Sequence, residues 1–307
     1  MIEVFLYSVI ISGTPLLLAT LGEIMTEKAG HLNLGVEGLM LLGAVGGFGF
    51  GYITGNPILA IIGAAILGAF GGLIYAFLTV TLRANQVVSG LALTIFGTGI
   101  SSYVGTSFIG CKMPNVIIDF YKPFELPLLS KIPFIGNILF NQDIFIYFSY
   151  IFAICFGIYL YNTRIGLNLI AVGENPSAAD GTGINITLYK YVHILIGSAL
   201  CGLGGAYLSI VEVPQWQDNI TAGRGWIAIA LVIFAKWNPY KALFAAYLFG
   251  GLNIIGFRMQ GLNFSQSLLD MLPYLVTIIV LVISSVKNSK DNAPPKGLSV
   301  PYFREER

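Results

Sequence analysis

The stretch Leu21-Gly-Glu-Ile-Met-Thr-Glu-Lys-Ala-Gly-His-Leu-Asn-Leu-Gly-Val-Glu-Gly-Leu-Met-Leu41 decides how this chain is read. It sets Glu23, Glu27, Lys28, His31, Asn33 and Glu37 between two long apolar runs. Ionisable groups near hydrocarbon are costly, and where they persist they face protein, water or a polar path. Gly30 and Gly35 interrupt helical continuity within the stretch. If the segment is helical, Glu23 and Glu27 stand one turn apart on one face, whereas Glu27 and Lys28 point apart. Two readings fit: an ordinary interfacial loop, or a helix broken beside a polar path through the membrane.

Both flanks argue for a membrane. Of 307 residues, 56% are hydrophobic and 10% charged, with mean hydropathy +0.79. Soluble domains carry about 25% charged residues. This chain has too little charge to cover a water-facing surface, so lipid is a large part of its solvent and helices must satisfy the backbone. The expected fold is all-α, a polytopic membrane helical bundle with about nine transmembrane helices. A crossing needs roughly 20 apolar residues. Runs of suitable composition are Val4–Gly22, Gly38–Gly55, Pro57–Leu82, Val87–Gly110, Ile144–Tyr161, Tyr191–Val211, Trp226–Ala235, Ala242–Phe257 and Leu268–Val286. The seventh is short. It crosses only if residues from Thr221 to Trp237 join it, or it is a half-helix. Met1-Ile-Glu3 lacks a basic leader, so the first run is expected to remain as a span.

Lysine and arginine orient the bundle. Nine passes with the Arg164–Lys190 loop inside place 11 of the 16 basic residues on the cytoplasmic side. Lys112, Lys122, Lys131, Arg224 and Arg258 fall outside. The N-terminus is then external and the C-terminus cytoplasmic, with residues 1–286 as the membrane domain and 287–307 as a tail. The tail, with Pro294-Pro295 and Arg304-Glu-Glu-Arg307, reads as a solvated end. Cys111–Asp143 is external and long enough for a small cap.

Small residues recur every fourth position: Gly43, Gly47 and Gly51; Gly68 and Gly72; Gly97, Ser101 and Gly105; Gly197, Cys201 and Gly205. Such rows line one helix face and let backbones approach closely, which predicts a compact bundle.

Several chemistries find no support. The chain has no G-x-x-x-x-G-K-[ST], H-E-x-x-H or G-x-S-x-G pattern. Its two histidines, His31 and His193, make no metal motif. Cys111, Cys155 and Cys201 form no CxxC pair. The net charge of +1 gives no global field for nucleic acid. No catalytic constellation and no metal set are expected. A self-sufficient secondary transporter would need ion-coupling residues, and the middles of spans three to eight hold almost no acidic side chains.

Two further stretches carry information. In Ala171-Val-Gly-Glu-Asn-Pro-Ser-Ala-Ala-Asp-Gly-Thr-Gly-Ile-Asn185, Asn175 suits a helix cap, Pro176 suits the first helical position, and Gly181 and Gly183 end the turn. This predicts a short helix held between two spans, either a tidy loop or a docking element for a soluble motor. In Thr221–Pro239, Gly223-Arg-Gly-Trp226 and Lys236-Trp-Asn-Pro239 flank a short apolar run. Trp226 and Trp237 suit the two interfaces. Arg224 either snorkels or meets an acidic partner.

At these three places the chain resembles the permeases of the branched-chain amino acid and simple-sugar division of ABC importers. The resemblance rests on Asn33-Leu-Gly-Val-Glu-Gly-Leu-Met40, the Gly173-Glu-Asn-Pro176 core, and Gly223-Arg-Gly-Trp226 with Lys236-Trp-Asn-Pro239. It covers Thr14 to Val286, and the last two stretches are most similar to the shorter permease of bacterial nucleoside importers. The resemblance implies a multi-pass protein of the bacterial cell (inner) membrane. It implies an ABC ATPase in two copies, a second homologous permease or self-pairing, and a lipoprotein or periplasmic binding protein. The substrate it implies is a small molecule such as a nucleoside, with riboflavin, a monosaccharide or a branched-chain amino acid as alternatives. ATP would be used by the partner ATPase, with no cofactor on this chain. The segment Gly173, Glu174, Asn175, Ala178, Ala179 and Gly183 is similar to the family's coupling helix. Asn33, Glu37, Asn85 and Gln86 are the candidates for the translocation path, since amide side chains both donate to and accept from ribose hydroxyls and base edges. Asn85 and Gln86 equally suit helix caps.

Overall fold

A computed structural model describes residues 2–127, 129, 130, 132, 135–259, 271–286 and 293–303. The chain begins with α1 (Ile2–Lys28), α2 (Val36–Thr54) and α3 (Pro57–Ala76), the last continued by a π-helical turn over Phe77–Thr81. Next come α4 (Gln86–Gly105), short α5 (Asn115–Phe120) and α6 (Ile135–Leu139), and α7 (Ile144–Asn162). After α8 (Arg164–Glu174) and α9 (Pro176–Gly181), α10 (Ile186–Tyr207) ends in a second π turn, Leu208–Glu212. The chain closes with α11 (Arg224–Phe234), α12 (Pro239–Met259) and α13 (Leu272–Val286).

Six helices among the described residues are long and apolar enough to cross a membrane: Ile2–Lys28, Val36–Thr54, Pro57–Thr81, Gln86–Phe108, Ile144–Asn162 and Ile186–Glu212. They fall on the first six expected runs. The structure refines two of the expected runs. The first helix runs past Gly22 to Lys28, so Glu23 and Glu27 lie within it, buried. The seventh run forms only 11 residues of helix. The beginning of the ninth run, Leu268 to Asp270, lies outside the described residues, as do Lys131, Lys287, Lys290, Arg304 and Arg307.

Helices α1, α2, α3 and α10 pack into the centre, with α4 against α2 and α12 against α1. The glycine rows explain how. A Cβ on Gly43 would overlap the backbone of Gly202, one on Gly97 the backbone of Gly38, and one on Gly197 the carbonyl of Gly22. These helices touch backbone to backbone, as small-residue rows permit. A second apolar cluster joins α1 and α7 to α11 and α12 through Leu17, Leu21, Phe156, Leu231 and Phe249.

The Cys111–Asp143 connection builds a small cap. Phe124–Glu125 (β1) pairs antiparallel with Asn141–Gln142 (β2), and Lys112 bridges to Gln215. Trp216 closes against Phe48, with ring centroids 5.6 Å apart.

Candidate functional site

Residues 29–35 are not helical, yet Ala29, His31 and Asn33 are at most 1% exposed. Buried backbone outside a helix needs partners for each N–H and C=O. Side chains supply them. Leu32 N–H donates to Gln86 Oε1 at 2.8 Å, and Tyr75 Oη donates to the Leu32 carbonyl at 2.6 Å. Asn33 N–H donates to Glu23 Oε1 at 2.9 Å, and Gly35 N–H to Asn33 Oδ1 at 2.8 Å. Thr94 Oγ1 donates to the Leu34 carbonyl at 3.0 Å. The connection between α1 and α2 is thus a buried break whose backbone is held by side chains from α1, α3 and α4 as well as its own.

The break lifts the start of α2 into the bundle. Ser209 Oγ donates to the Ala44 carbonyl at 2.9 Å, and Gly205 lies against Met40. By this register, α2 begins alongside the middle of α10.

A second break meets it there. The chain approaches α11 through Asn219, Ala222 and Gly223, at φ 52°, 46° and 84°. Positive φ at non-glycine residues is strained and concentrates at functional positions. The first turn of α11 then closes on Glu37. Glu37 Oε1 accepts from Thr221 Oγ1 and from Gly223 N–H at 2.8 Å, and Oε2 accepts from Gly225 N–H at 2.6 Å. A carboxylate here satisfies orphan amides and faces the positive end of the helix dipole. At the other end of α11, Trp237 Nε1 donates to Glu27 Oε2. Lys236 and Trp237, at φ 55° and 54°, turn the chain out of the helix. Eleven residues span only about 16 Å. The helical part of the seventh segment is therefore short, held at both ends by carboxylates from α1 and α2. Arg224 meets an acidic partner, Glu212, at 3.4 Å.

Some buried polar atoms around the first break have no hydrogen-bond partner among the described residues: Glu23 Oε2, Asn33 Nδ2 and both ring nitrogens of His31.

The sequence candidates are placed as follows. Asn33, Glu37 and Gln86 are buried and gather around the two breaks, where they hold backbone. Asn85 is exposed and caps α4, its Oδ1 accepting from Val88 N–H at 3.1 Å. The other set forms the α8–α9 connection. Asn175 Oδ1 accepts from Ala178 N–H at 3.0 Å, Pro176 starts α9, and Gly183 has φ 86°. Gly173 and Ala179 are buried, Glu174 is half-buried, and Asn175, Ala178 and Gly183 are exposed. Gly173 packs on the Lys28 carbonyl, so this connection sits under the end of α1.

Residues 293–303 depart from the solvated end that the sequence suggests. Gly297 N–H donates to the Gly173 carbonyl at 2.8 Å, and Tyr302 Oη to Asp180 Oδ2 at 2.8 Å. The Arg83 guanidinium lies 4.5 Å over the Phe303 ring. Sequence reasoning also passed over Tyr75, Thr94 and Thr221, hydroxyls in helical or turn positions whose partners are distant in the chain. Among the described residues no cluster of three His, Cys, Asp or Glu side chains could hold a metal ion.

Residues 5–281 match the family described as the permease component of the branched-chain amino acid transport system. The chain is 34% identical to the "Putative glucose ABC transporter permease protein TsgC13" of Haloferax volcanii, over 96% of this chain and 95% of that protein. It is 34% identical to the nucleoside ABC transporter permease protein NupC of Lactococcus lactis, over 99% of this chain and 98% of the other. It is 30% identical to the guanosine ABC transporter permease protein NupQ of Bacillus subtilis, over 100% and 98%.

Proposed function

The chain belongs to the permease-component family of the branched-chain amino acid transport system and is an ABC transporter permease, and we propose that it imports nucleosides. The observation that carries this reading is similarity over nearly the whole chain to permeases named for nucleosides and guanosine. A second reading, monosaccharide import, is favoured by the Haloferax relative at equal identity. The family implies an ATPase and a substrate-binding partner in general. In the proposed assembly two ATPases use ATP below a pair of permeases, either two copies of this chain or this chain with a homologue. A lipoprotein or periplasmic protein delivers substrate from outside, and this chain binds no cofactor.

The proposed topology has nine passes through a bacterial cell membrane with the N-terminus outside: the six long helices, a seventh made of α11 and the non-helical residues that flank it, and α12 and α13. Support comes from one end of the bundle, where Lys28, Arg83, Arg164, Lys190 and Lys236 collect near helix ends, as cytoplasmic faces do. Residues 1–286 form the permease domain and 287–307 a cytoplasmic tail.

The path runs past the two breaks, where half-helix ends point at a midplane site as in other carriers. Asn33 presents its unpartnered amide there, Glu37 and Gln86 fix the backbone around it, and Asn85 stands at the cytoplasmic mouth.

The α8–α9 connection is the coupling element, comprising Gly173, Glu174, Asn175, Ala178, Ala179 and Gly183. Burial divides its two alanines. Ala178→Arg is expected to lower uptake about tenfold while the complex still hydrolyses ATP, within the 1–3 kcal/mol range of coupling free energies. Ala179→Arg is expected to lower the amount of folded protein, because Ala179 packs against Val172 and Ile186. Uptake and ATPase rates in membrane vesicles, normalised to permease content, check both. Wild-type uptake by Ala178→Arg would remove α9 from the coupling interface.

The function itself is tested by a mild-detergent pull-down of the tagged chain with its partners, then ligand binding by the co-purified binding protein. Recovery of an ATPase and a lipoprotein that binds guanosine but not glucose supports nucleoside import. Binding of glucose alone supports the second reading. A chain that purifies alone and moves solute in liposomes without ATP contradicts both.

A further inference from the structure

At the end of the bundle that carries the α8–α9 connection, a cavity of about 440 Å³ opens between the ends of α3 and α10. Arg83, Lys190, Thr79, Asn185, Asp180 and Tyr302 are among its lining residues. Ligand sites typically enclose roughly 300–1,000 Å³. Two cations face one carboxylate, and the carboxylate of Asp180 already accepts the Tyr302 hydroxyl.

Lys190 is the telling residue. It lines the cavity at 4% exposure, and no hydrogen bond or ion pair to another described residue holds its ammonium. A buried cation is expensive unless an anion or hydrogen-bond acceptors accompany it. The first turn of α10 adds to the same wall through Ile186 and Thr187. Asn185 Oδ1 takes only the Leu188 N–H, at 3.0 Å, so other first-turn amides remain as donors. A helix N-terminus with two cations and hydroxyls is the chemistry that holds a phosphate. Tyr302 makes the remaining wall from the C-terminal segment.

We propose that this cavity binds a phosphate group, carried on a small phosphate monoester or a phospholipid headgroup, between Arg83, Lys190 and the start of α10. Because Tyr302 forms a wall, an occupied site also fastens residues 293–303 over the α8–α9 connection. The inference rests on the reading of that face as cytoplasmic, where phosphorylated forms of an imported nucleoside and anionic lipid headgroups both occur.

The full transporter complex in phosphatidylcholine nanodiscs is titrated with inorganic phosphate and with guanosine monophosphate, using equilibrium dialysis. In parallel, complexes from phosphatidylglycerol nanodiscs are delipidated mildly and their retained lipid is measured by native mass spectrometry. Saturable binding of either free probe that Lys190→Met weakens at least tenfold, and Tyr302→Phe weakens less, supports the site with a soluble ligand. Retention of phosphatidylglycerol that Lys190→Met abolishes supports the site with a lipid ligand. Arg83→Gln, at an exposed position, replaces Lys190→Met if the latter does not fold. Absence of variant-sensitive binding in both arms overturns the proposal. Binding is read without transport, so its failure leaves nucleoside import standing, and failed guanosine uptake leaves the phosphate site standing.

Discussion

Glu37→Gln is expected to lower the thermal unfolding midpoint of the permease substantially and to abolish uptake. Two carboxylate oxygens accept from three donors contributed by the entry to α11, two of them buried and the Gly223 amide part-buried. Glutamine offers one acceptor oxygen and an NH2 group, so at least one of the Gly223 and Gly225 amides loses its acceptor and faces another donor. Each hydrogen bond to a charged group contributes about 1.5–3 kcal/mol, and a buried amide left unpaired costs about 1–3 kcal/mol. Loss of the negative charge at the helix N-terminus adds up to ~2 kcal/mol. A total of several kcal/mol is a large share of the 5–15 kcal/mol that holds a typical protein folded. Glu37→Asp keeps the charge but withdraws it by one methylene, and is expected to fall between wild type and glutamine. Midpoints in detergent, together with uptake in cells at matched membrane content, check the series. A Glu37→Gln protein with wild-type stability and a raised KM would make Glu37 a substrate ligand instead of the clamp on α11.

That clamp marks the limit of what the sequence could tell. Span positions follow from apolar run length, and the α8–α9 turn follows from Asn175, Pro176 and Gly183, because those signals are local. The tight bundle follows from glycine spacing for the same reason. The acidic stretch from Glu23 to Glu37 announced that something polar was buried, but not its partners. Glu37 meets Gly225 across 188 residues and Glu27 meets Trp237 across 210. No periodicity encodes such a pairing. The short helix of the seventh segment was legible as a shortage of apolar residues, while the carboxylates that fix its ends were not. Residues 293–303 misled for a different reason. Their prolines and charges suit solvent, yet the Gly297 to Gly173 bond needs only two backbones without side chains in the way.

The other large effect is expected from a single methyl group. Gly205→Ala would drive its Cβ into the Met40 carbonyl, and Gly43→Ala into the backbone of Gly202, well inside contact distance. Overpacking usually costs about 1–3 kcal/mol because side chains give way. Here the obstacle is backbone on a buried helix, so α2 and α10 must move apart and the packing around Ala44 and Ser209 must loosen with them. A loss of about 3 kcal/mol or more, at roughly 2–4 °C per kcal/mol, lowers the unfolding midpoint by about 10 °C. Gly99→Ala is the matched control. It lies in α4 with nothing within 4 Å of the new methyl. Alanine is favoured over glycine in a helix by about 0.5–1 kcal/mol, so its midpoint is expected to hold or rise. Fluorescence-detected size exclusion after heating separates the three variants. The comparison also decides what the glycine rows do. If Gly205→Ala keeps its midpoint but loses uptake, the α2–α10 seam moves during transport and the methyl blocks that motion. If midpoint and uptake fall together while Gly99→Ala keeps both, the seam is fixed packing, and the moving parts must be sought at the two breaks.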